Sequence, residues 1–236
     1  MMKSVFVTGT DTGVGKTIIS SSIAAYLSTV KGLDVGVMKP FESGIETAGD
    51  RGLDDTWILK TASGSEDDVN EINPYLFKAP LAPEPAAAEE NASIDIDLVT
   101  SLYDRLAARH DVVIVEGAGG LLVPITERFF YADLIRAWRA PVIVVSRLTL
   151  GTINHTLLTC GHLRSIGAKV LGVILNDTEG AGDIASRTNP AMLKKYLDVP
   201  LLGVFPHTPD LFGKGVNRER LADLLARNID CSVLED

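Results

Sequence analysis

The segment Gly9-Thr10-Asp11-Thr12-Gly13-Val14-Gly15-Lys16-Thr17 carries the residue types needed to hold a polyphosphate. Glycines let a backbone curl until successive N–H groups point inward, and a helix starting at once afterwards adds the positive end of its dipole. In that setting Lys16 would contact the β- and γ-phosphates of a nucleotide, and the Thr17 hydroxyl would ligate Mg2+. The spacing departs from the usual pattern of four residues between the glycines. Here five separate Gly9 from Gly15, and Thr10 stands where the first glycine would ordinarily fall.

Other candidates sit where apolar runs end. Lys39-Pro40 closes one such run, and Pro40, with no N–H to donate, stops it there. Strand C-termini in open α/β sheets face the ligand crevice, so Lys39 would point toward the phosphates; elsewhere such a lysine is simply solvated. Asp111-Val112-Val113-Ile114-Val115-Glu116-Gly117-Ala118-Gly119-Gly120 brings four apolar residues up to a carboxylate at a strand end. That arrangement holds Mg2+ directly or through water in nucleotide-hydrolysing proteins, and the glycines after it let a substrate approach the backbone. The plain alternative is an exposed acid before a loop. Asp54 and Asp55 open a helix, where both complement its dipole or one reaches the metal. Leu150-Gly151-Thr152-Ile153-Asn154-His155 leads a glycine into a helix and leaves N–H groups that can bind a carboxylate, as any ordinary N-cap would; His155 is read as structural. Leu175-Asn176-Asp177 ends another run, where the Asn176 amide reads a base edge or caps a turn.

Positioning these residues requires an alternation of strands and helices, and the chain has it. Apolar runs predict strands at 4–8, 34–38, 112–115, 142–146, 170–175 and 201–205, most of them nearly continuously apolar, as strands buried on both faces are. Longer patterns predict helices at 16–30, 54–62, 95–108, 132–139, 152–165, 190–196 and 218–227. Ile18, Ile19, Ile23 and Leu27 share one helical stripe, so the first helix should pack on the sheet. The expectation is an α/β fold: a single P-loop NTPase-like domain over 1–236, with a mostly parallel sheet and helices on both faces. Residues 77–93, rich in proline, alanine and glutamate, are read as an irregular functional loop or excursion.

Composition narrows the function classes. Of the 236 residues 46% are hydrophobic and 22% charged, enough for a core and an ordinary polar surface. A net charge of −9 argues against nucleic acid as a partner, because phosphate backbones need a basic face. Cys160 and Cys231 lie far apart in no metal pattern and are read as free thiols in a reducing compartment; the four histidines show no HExxH spacing. The chain reaches its first strand almost at once and holds no apolar run of about 18 residues, so neither secretion nor membrane spanning is expected, and the place expected is the cytoplasm.

In order and spacing, several segments resemble the dethiobiotin synthetase family over nearly the whole chain. They are Val7-Thr8-Gly9 through Lys16-Thr17, Lys39-Pro40 with Ser43 and Gly44, Asn73-Pro74-Tyr75, Val115-Glu116-Gly117-Ala118-Gly119-Gly120, Leu150-Gly151-Thr152-Ile153-Asn154-His155 and Pro200-Leu201-Leu202-Gly203. The five-residue glycine spacing is that family's own variant. The resemblance implies that 7,8-diaminopelargonate, CO2 and ATP give dethiobiotin, ADP and phosphate. One amine adds to CO2, the carbamate attacks the γ-phosphate, and the second amine closes a cyclic urea on the mixed anhydride. It implies Lys16 and Lys39 as catalytic cations and Mg2+ held through Thr17, Asp55 and Glu116. It implies ATP bound by Gly13, Val14, Gly15, Lys16, Thr17, Ile18, Asp55, Glu116, Gly117, Ala118 and Gly119, with Asn176, Asp177, Pro206 and His207 toward adenine. The substrate would meet Thr12, Lys39 and Ser43, and its carboxylate would meet Leu150, Gly151, Thr152, Ile153 and Asn154 of the partner subunit in a homodimer. One departure concerns the segment Leu81-Ala82-Pro83, followed here by Glu84 and Pro85 where family members often carry histidine.

Two other readings remain. A switch ATPase of the chromosome-partitioning type shares the fold, but usually carries an extra lysine early in the loop; Thr10 to Val14 hold none. A regulator that has lost catalysis would be expected to have lost Lys16, Thr17, Lys39 or Glu116, all of which are retained.

Overall fold

The computed structural model of the chain describes residues 2–45, 54–180 and 182–235. β1 (Ser4–Gly9) leads through the glycine loop into α1 (Lys16–Thr29), followed by β2 (Val35–Met38), β3 (Phe41–Ser43), α2 (Asp55–Ser63), α3 (Val69–Ile72), β4 (Tyr75–Phe77), α4 (Pro83–Glu89) and α5 (Ile96–Arg109). Then come β5 (Val112–Gly120), β6 (Pro124–Thr126), β7 (Phe129–Phe130), α6 (Tyr131–Trp138) and β8 (Val142–Arg147). The chain continues with α7 (Thr152–Ser165), β9 (Val170–Asn176), α8 (Ile184–Tyr196), β10 (Leu201–Phe205), α9 (Arg218–Asn228) and a closing 3-10 turn at Ser232–Leu234.

Six strands form one parallel sheet in the order β10-β9-β8-β1-β5-β2. The continuously apolar runs serve both faces. Val5, Val7, Ile114, Ile143 and Val145 pack beneath α1, α2 and α9, while Phe6, Val113, Val115, Val142 and Val144 pack against α5, α6 and α7. Because β1 lies between β5 and β8, its neighbours on the two sides come from later in the chain. The C-terminal edge beside β1 is therefore the crevice where such sheets bind ligands. Among the described residues no helix is long and apolar enough to cross a membrane.

The expected strands and helices all appear, joined by the short unpredicted α3 and with four further differences. β5 continues through Glu116 to Gly120 instead of stopping at Val115, because the glycines pair onward with β1 up to Gly9↔Gly120. α8 starts at Ile184, six residues before the predicted 190. The Asp183 side chain accepts the Ser186 N–H at 2.6 Å and starts the helix early, and Pro190 sits inside it. The 77–93 stretch is not irregular throughout: it holds α4, with Pro83 in the first turn, where the missing N–H costs nothing. Finally, β3 pairs in parallel with β4, and β6 pairs with β7, outside the main sheet.

Candidate active site

The glycine loop is held by positive backbone angles and by its neighbours. Gly13 and Gly15 adopt φ of 74° and 86°, and Gly15 is the N-cap of α1. A Cβ at Gly15 would lie 2.0 Å from the Asn176 side-chain nitrogen, so a side chain there would have to push the Asn176 amide aside. The Asn176 Nδ2 donates to the Val14 carbonyl at 2.9 Å, and Lys16 Nζ donates to the Asp11 carbonyl at 3.2 Å. The end of β8 braces the early part of the loop. Val145 accepts the Thr10 N–H at 2.9 Å, the Ser146 and Thr10 hydroxyls lie 3.1 Å apart, and Arg147 donates to Asp11 Oδ2 at 3.1 Å and to the Thr12 carbonyl at 3.3 Å.

Beside the loop lies a cavity of about 320 Å³ lined by Thr12, Gly13, Gly15, Lys16, Thr17, Lys39, Glu42, Ser43, Asp55, Glu116, Ala118 and Gly119. β2 ends at Met38 and hands the chain to Lys39, whose main chain is gripped on both sides. Its N–H donates to Ile72 O at 2.9 Å, and its carbonyl accepts the Asn73 amide at 2.7 Å. Its ammonium, 5% exposed, bonds Glu116 Oε1 at 2.7 Å and Asp55 Oδ2. Thr17 donates to the same Glu116 oxygen at 2.9 Å. Asp54 and Asp55 divide their tasks: Asp54 caps α2 by accepting the Trp57 N–H at 2.7 Å, while Asp55 turns its carboxylate into the cavity.

Charge and burial set the protonation of this cluster. Burial works against the Lys39 ammonium, but Glu116, Asp55 and Glu42 outweigh it and hold its pKa above an ordinary lysine's. Burial lowers Lys16 to about 8 against the attraction of Glu116, and Lys39 adds to the fall. Burial alone would raise the Asp55 carboxyl, yet the Lys39 charge and hydrogen bond bring it below its ordinary value. Burial pushes the Glu42 carboxyl up, opposed by Lys39.

The cavity suits a divalent cation bound together with a polyphosphate. Three carboxylates, Glu42, Asp55 and Glu116, face two ammoniums, an excess of one negative charge in a place built around an anion-binding loop. Glu116 Oε2 is buried and has no protein partner. Two carboxylates and the Thr17 hydroxyl form the oxygen set that Mg2+ takes when phosphate oxygens and water complete its shell.

Not every expected site residue borders this cavity. Val14 and Gly117 are buried in the protein, Ile18 is partly buried against the core, and none of the three lines the cavity. Asn176 also braces the loop: one of its two amide hydrogens goes to the Val14 carbonyl, and its side chain fills the space under Gly15. Asp177 accepts Gly180 N at 2.8 Å as a turn, and a Cβ at Gly180 would meet His207 at 2.8 Å, so the ends of β9 and β10 lie together beyond the loop. Pro206 follows β10 and accepts the Thr208 hydroxyl at 3.1 Å. Leu150, Gly151 and Asn154 are exposed and Ile153 half-buried, away from the cavity, whereas the Thr152 hydroxyl is buried 2.7 Å from Ser146. Sequence reasoning missed Glu42 and Arg147. The only local signal for Glu42 was an acid between Phe41 and Ser43, three residues after Lys39.

The geometry finds its counterpart among known proteins. The model of a family described as an AAA domain matches residues 3–214. The chain is 44% identical to the ATP-dependent dethiobiotin synthetase BioD of Bacillus licheniformis over 89% of this chain and 88% of that one. It is 38% identical to the same enzyme of Thermodesulfovibrio yellowstonii over 99% of both chains. It is 45% identical to that of Methanocaldococcus jannaschii over 73% of this chain and 78% of the relative. Among solved structures, a ParA family ATPase from Chlorobium tepidum superposes with a TM-score of 0.59 at 17% identity over 99% of this chain and 100% of that one. The septum site-determining protein MinD of Pyrococcus horikoshii superposes with a TM-score of 0.52 at 17% identity over 94% and 90%. These two likenesses establish a shared P-loop NTPase-like fold.

Proposed function

Since the chain belongs to the family of ATP-dependent dethiobiotin synthetases, ligases of biotin biosynthesis, we propose that it joins 7,8-diaminopelargonate to CO2 and closes the ring to dethiobiotin as ATP becomes ADP and phosphate. The observation that carries this reading is the meeting, in one cavity, of a phosphate loop with Lys39, Ser43 and the Glu116–Thr17–Asp55 oxygen set.

The chemistry joins two anions, a carbamate and a triphosphate, so positive charge must hold them together. Lys16 would hold the β- and γ-phosphates, and Lys39 would sit between the carbamate oxygen and the γ-phosphate, stabilising charge as it shifts in the transition state. Thr12 and Ser43, both lining the cavity, would orient the diamine or its carbamate by hydrogen bonds. Mg2+, held by Thr17, Asp55 and Glu116, would supply charge neutralisation on the phosphates. In ring closure the second amine would attack the carbonyl carbon of the mixed anhydride, phosphate would leave and the amine would give up a proton. Keeping that amine close and water away is favoured by the buried floor at Lys39 and Glu116.

Adenine would lie toward Asn176, Asp177, Pro206 and His207, outside the cavity. The exposed start of α7, Leu150 to Asn154, would serve the substrate carboxylate in the partner of a homodimer, working on small molecules in the cytoplasm. The test is phosphate release from the purified chain with Mg-ATP and bicarbonate, with and without 7,8-diaminopelargonate. Release that depends on the diamine, with a cyclic urea product by mass, is the expected result. Release without the diamine would point to a switch ATPase instead.

A further inference from the structure

Glu42 is buried, 5% exposed, and lines the cavity, yet no step assigned above uses it. It comes from β3, whose preceding residue Phe41 is locked between Tyr75, stacked at 5.5 Å, and Tyr131, edge-on at 6.0 Å. A side chain on this strand is therefore delivered from a fixed base. Both Glu42 oxygens are already engaged. Oε1 accepts the Asp55 N–H at 2.8 Å, and Oε2 accepts the Thr56 N–H at 3.4 Å and the Thr56 hydroxyl.

These are the first N–H groups of α2, which have no partner inside the helix. Asp54 takes the next one, from Trp57. A carboxylate at this point also faces the positive end of the helix dipole. Asp55 is thus held at two points, its N–H by Glu42 and its carboxylate by Lys39. With its oxygens occupied by donors, Glu42 is poorly placed to take a proton from substrate or to enter a metal shell itself.

We infer that Glu42 is a positioning residue, clamping the start of α2 so that the Asp55 carboxylate stands where a nucleotide-bound divalent cation is received. This rests on the reading of Asp55 as a ligand of that cation. Such supporting contacts matter because a ligand free to swing must be ordered again at each binding event; losing one typically costs about 10–100-fold in metal affinity.

The experiment measures Mn2+ binding by electron paramagnetic resonance, in the presence of a non-hydrolysable ATP analogue, for the full chain and for Glu42→Ala, Glu42→Gln and Asp55→Asn. Amide hydrogen exchange at Asp55 and Thr56 is followed in parallel. Glu42→Ala is expected to weaken Mn2+ binding about tenfold, to speed exchange at both amides, and to lower kcat while leaving the diamine KM near its original value. Glu42→Gln keeps the shape but turns an N–H donor toward the helix, so a smaller loss of the same kind is expected. It also serves as the variant of record if the alanine chain does not fold. Mn2+ affinity unchanged in both Glu42 variants, alongside a clear loss in Asp55→Asn, would overturn the role of Glu42. Unchanged affinity in Asp55→Asn would overturn the reading of Asp55 beneath it, and the inference with it.

Discussion

Lys39 stands between two duties, and its variants can separate them. Its ammonium is the counter-charge of Glu116, which is fully buried, as well as a candidate stabiliser of the transferring phosphoryl group. Lys39→Ala is expected to lower kcat by roughly 10²-fold or more, as for loss of a charge that acts in the transition state. It also strands a buried carboxylate, for which the usual cost is about 3–5 kcal/mol, so thermal unfolding in chelator should move down. Lys39→Ala combined with Glu116→Gln should recover much of that stability and none of the turnover; recovered turnover would remove Lys39 from the chemistry. The two cysteines give a separate pH signature. Burial raises both thiols from 9.0 to about 11, with Asp230 and Glu235 adding to the rise at Cys231. The folded chain therefore keeps protons that the unfolded chain releases, and stability should fall as pH climbs through the window from about 9 to 11. Ellman's reagent should find both thiols nearly inert at neutral pH and fully reactive in denaturant. The cavity-lining residues Lys16, Thr17, Lys39 and Glu116 were legible because each follows directly on an apolar run or a glycine motif. Glu42 was not, since its meaning lies in contacts with the backbone N–H groups of Asp55 and Thr56, 13 and 14 residues on and across the fold, which no local spacing reveals.

The elements show the same division between local and non-local information. The six strands of the main sheet were readable because burial on both faces leaves almost no polar residue in them. β3, β4, β6 and β7 are two or three residues long, too short for alternation to register. Helix α8 was truncated in the reading because Pro190 looks like a first-turn residue, whereas the Asp183 cap is the stronger signal. In the loop between β1 and α1, two glycines of similar φ should behave differently. A Cβ at Gly13 would meet nothing within 4 Å, so Gly13→Ala costs only left-handed strain, about 1–2 kcal/mol. Gly15→Ala adds the collision with Asn176 at 2.0 Å. Thermal unfolding should place Gly15→Ala well below Gly13→Ala, and only the former should displace Asn176 from its bond to Val14. Equal melting points for the two would mean that Asn176 moves aside freely and is not the brace described here.

At the scale of the whole molecule, the question is what meets the outer face of α7. Leu158 on α7 is 65% exposed and Leu122, just beyond β5, 58%, while Leu150, just before α7, is 85% exposed, apolar surface that solvent alone does not favour. Leu122 and Leu158 also border a cavity of about 350 Å³ whose other wall is Thr10, Asp11 and Thr12, so this surface runs directly up to the phosphate loop. A twofold-related copy seated here would bury the leucines and bring the start of its α7 toward the substrate end of the active site, since a twofold interface presents the same patch from both sides. Ser146 ties the two ends of this surface within one chain, its hydroxyl lying 3.1 Å from that of Thr10 and 2.7 Å from that of Thr152. Leu158→Asp puts a charge into the middle of that patch, on a helix face where the folded monomer already tolerates solvent. Sedimentation of the unaltered chain should show a dimer, and that of Leu158→Asp a folded monomer with an unchanged circular dichroism spectrum. The nucleotide loop is complete within one chain, so ATP-analogue binding should persist in the monomer. The substrate carboxylate would lose its N–H donors, so the diamine KM should rise far more than the KM for ATP. A monomer with ordinary diamine KM would show that each chain holds its substrate unaided, and the exposed start of α7 would then need another occupant.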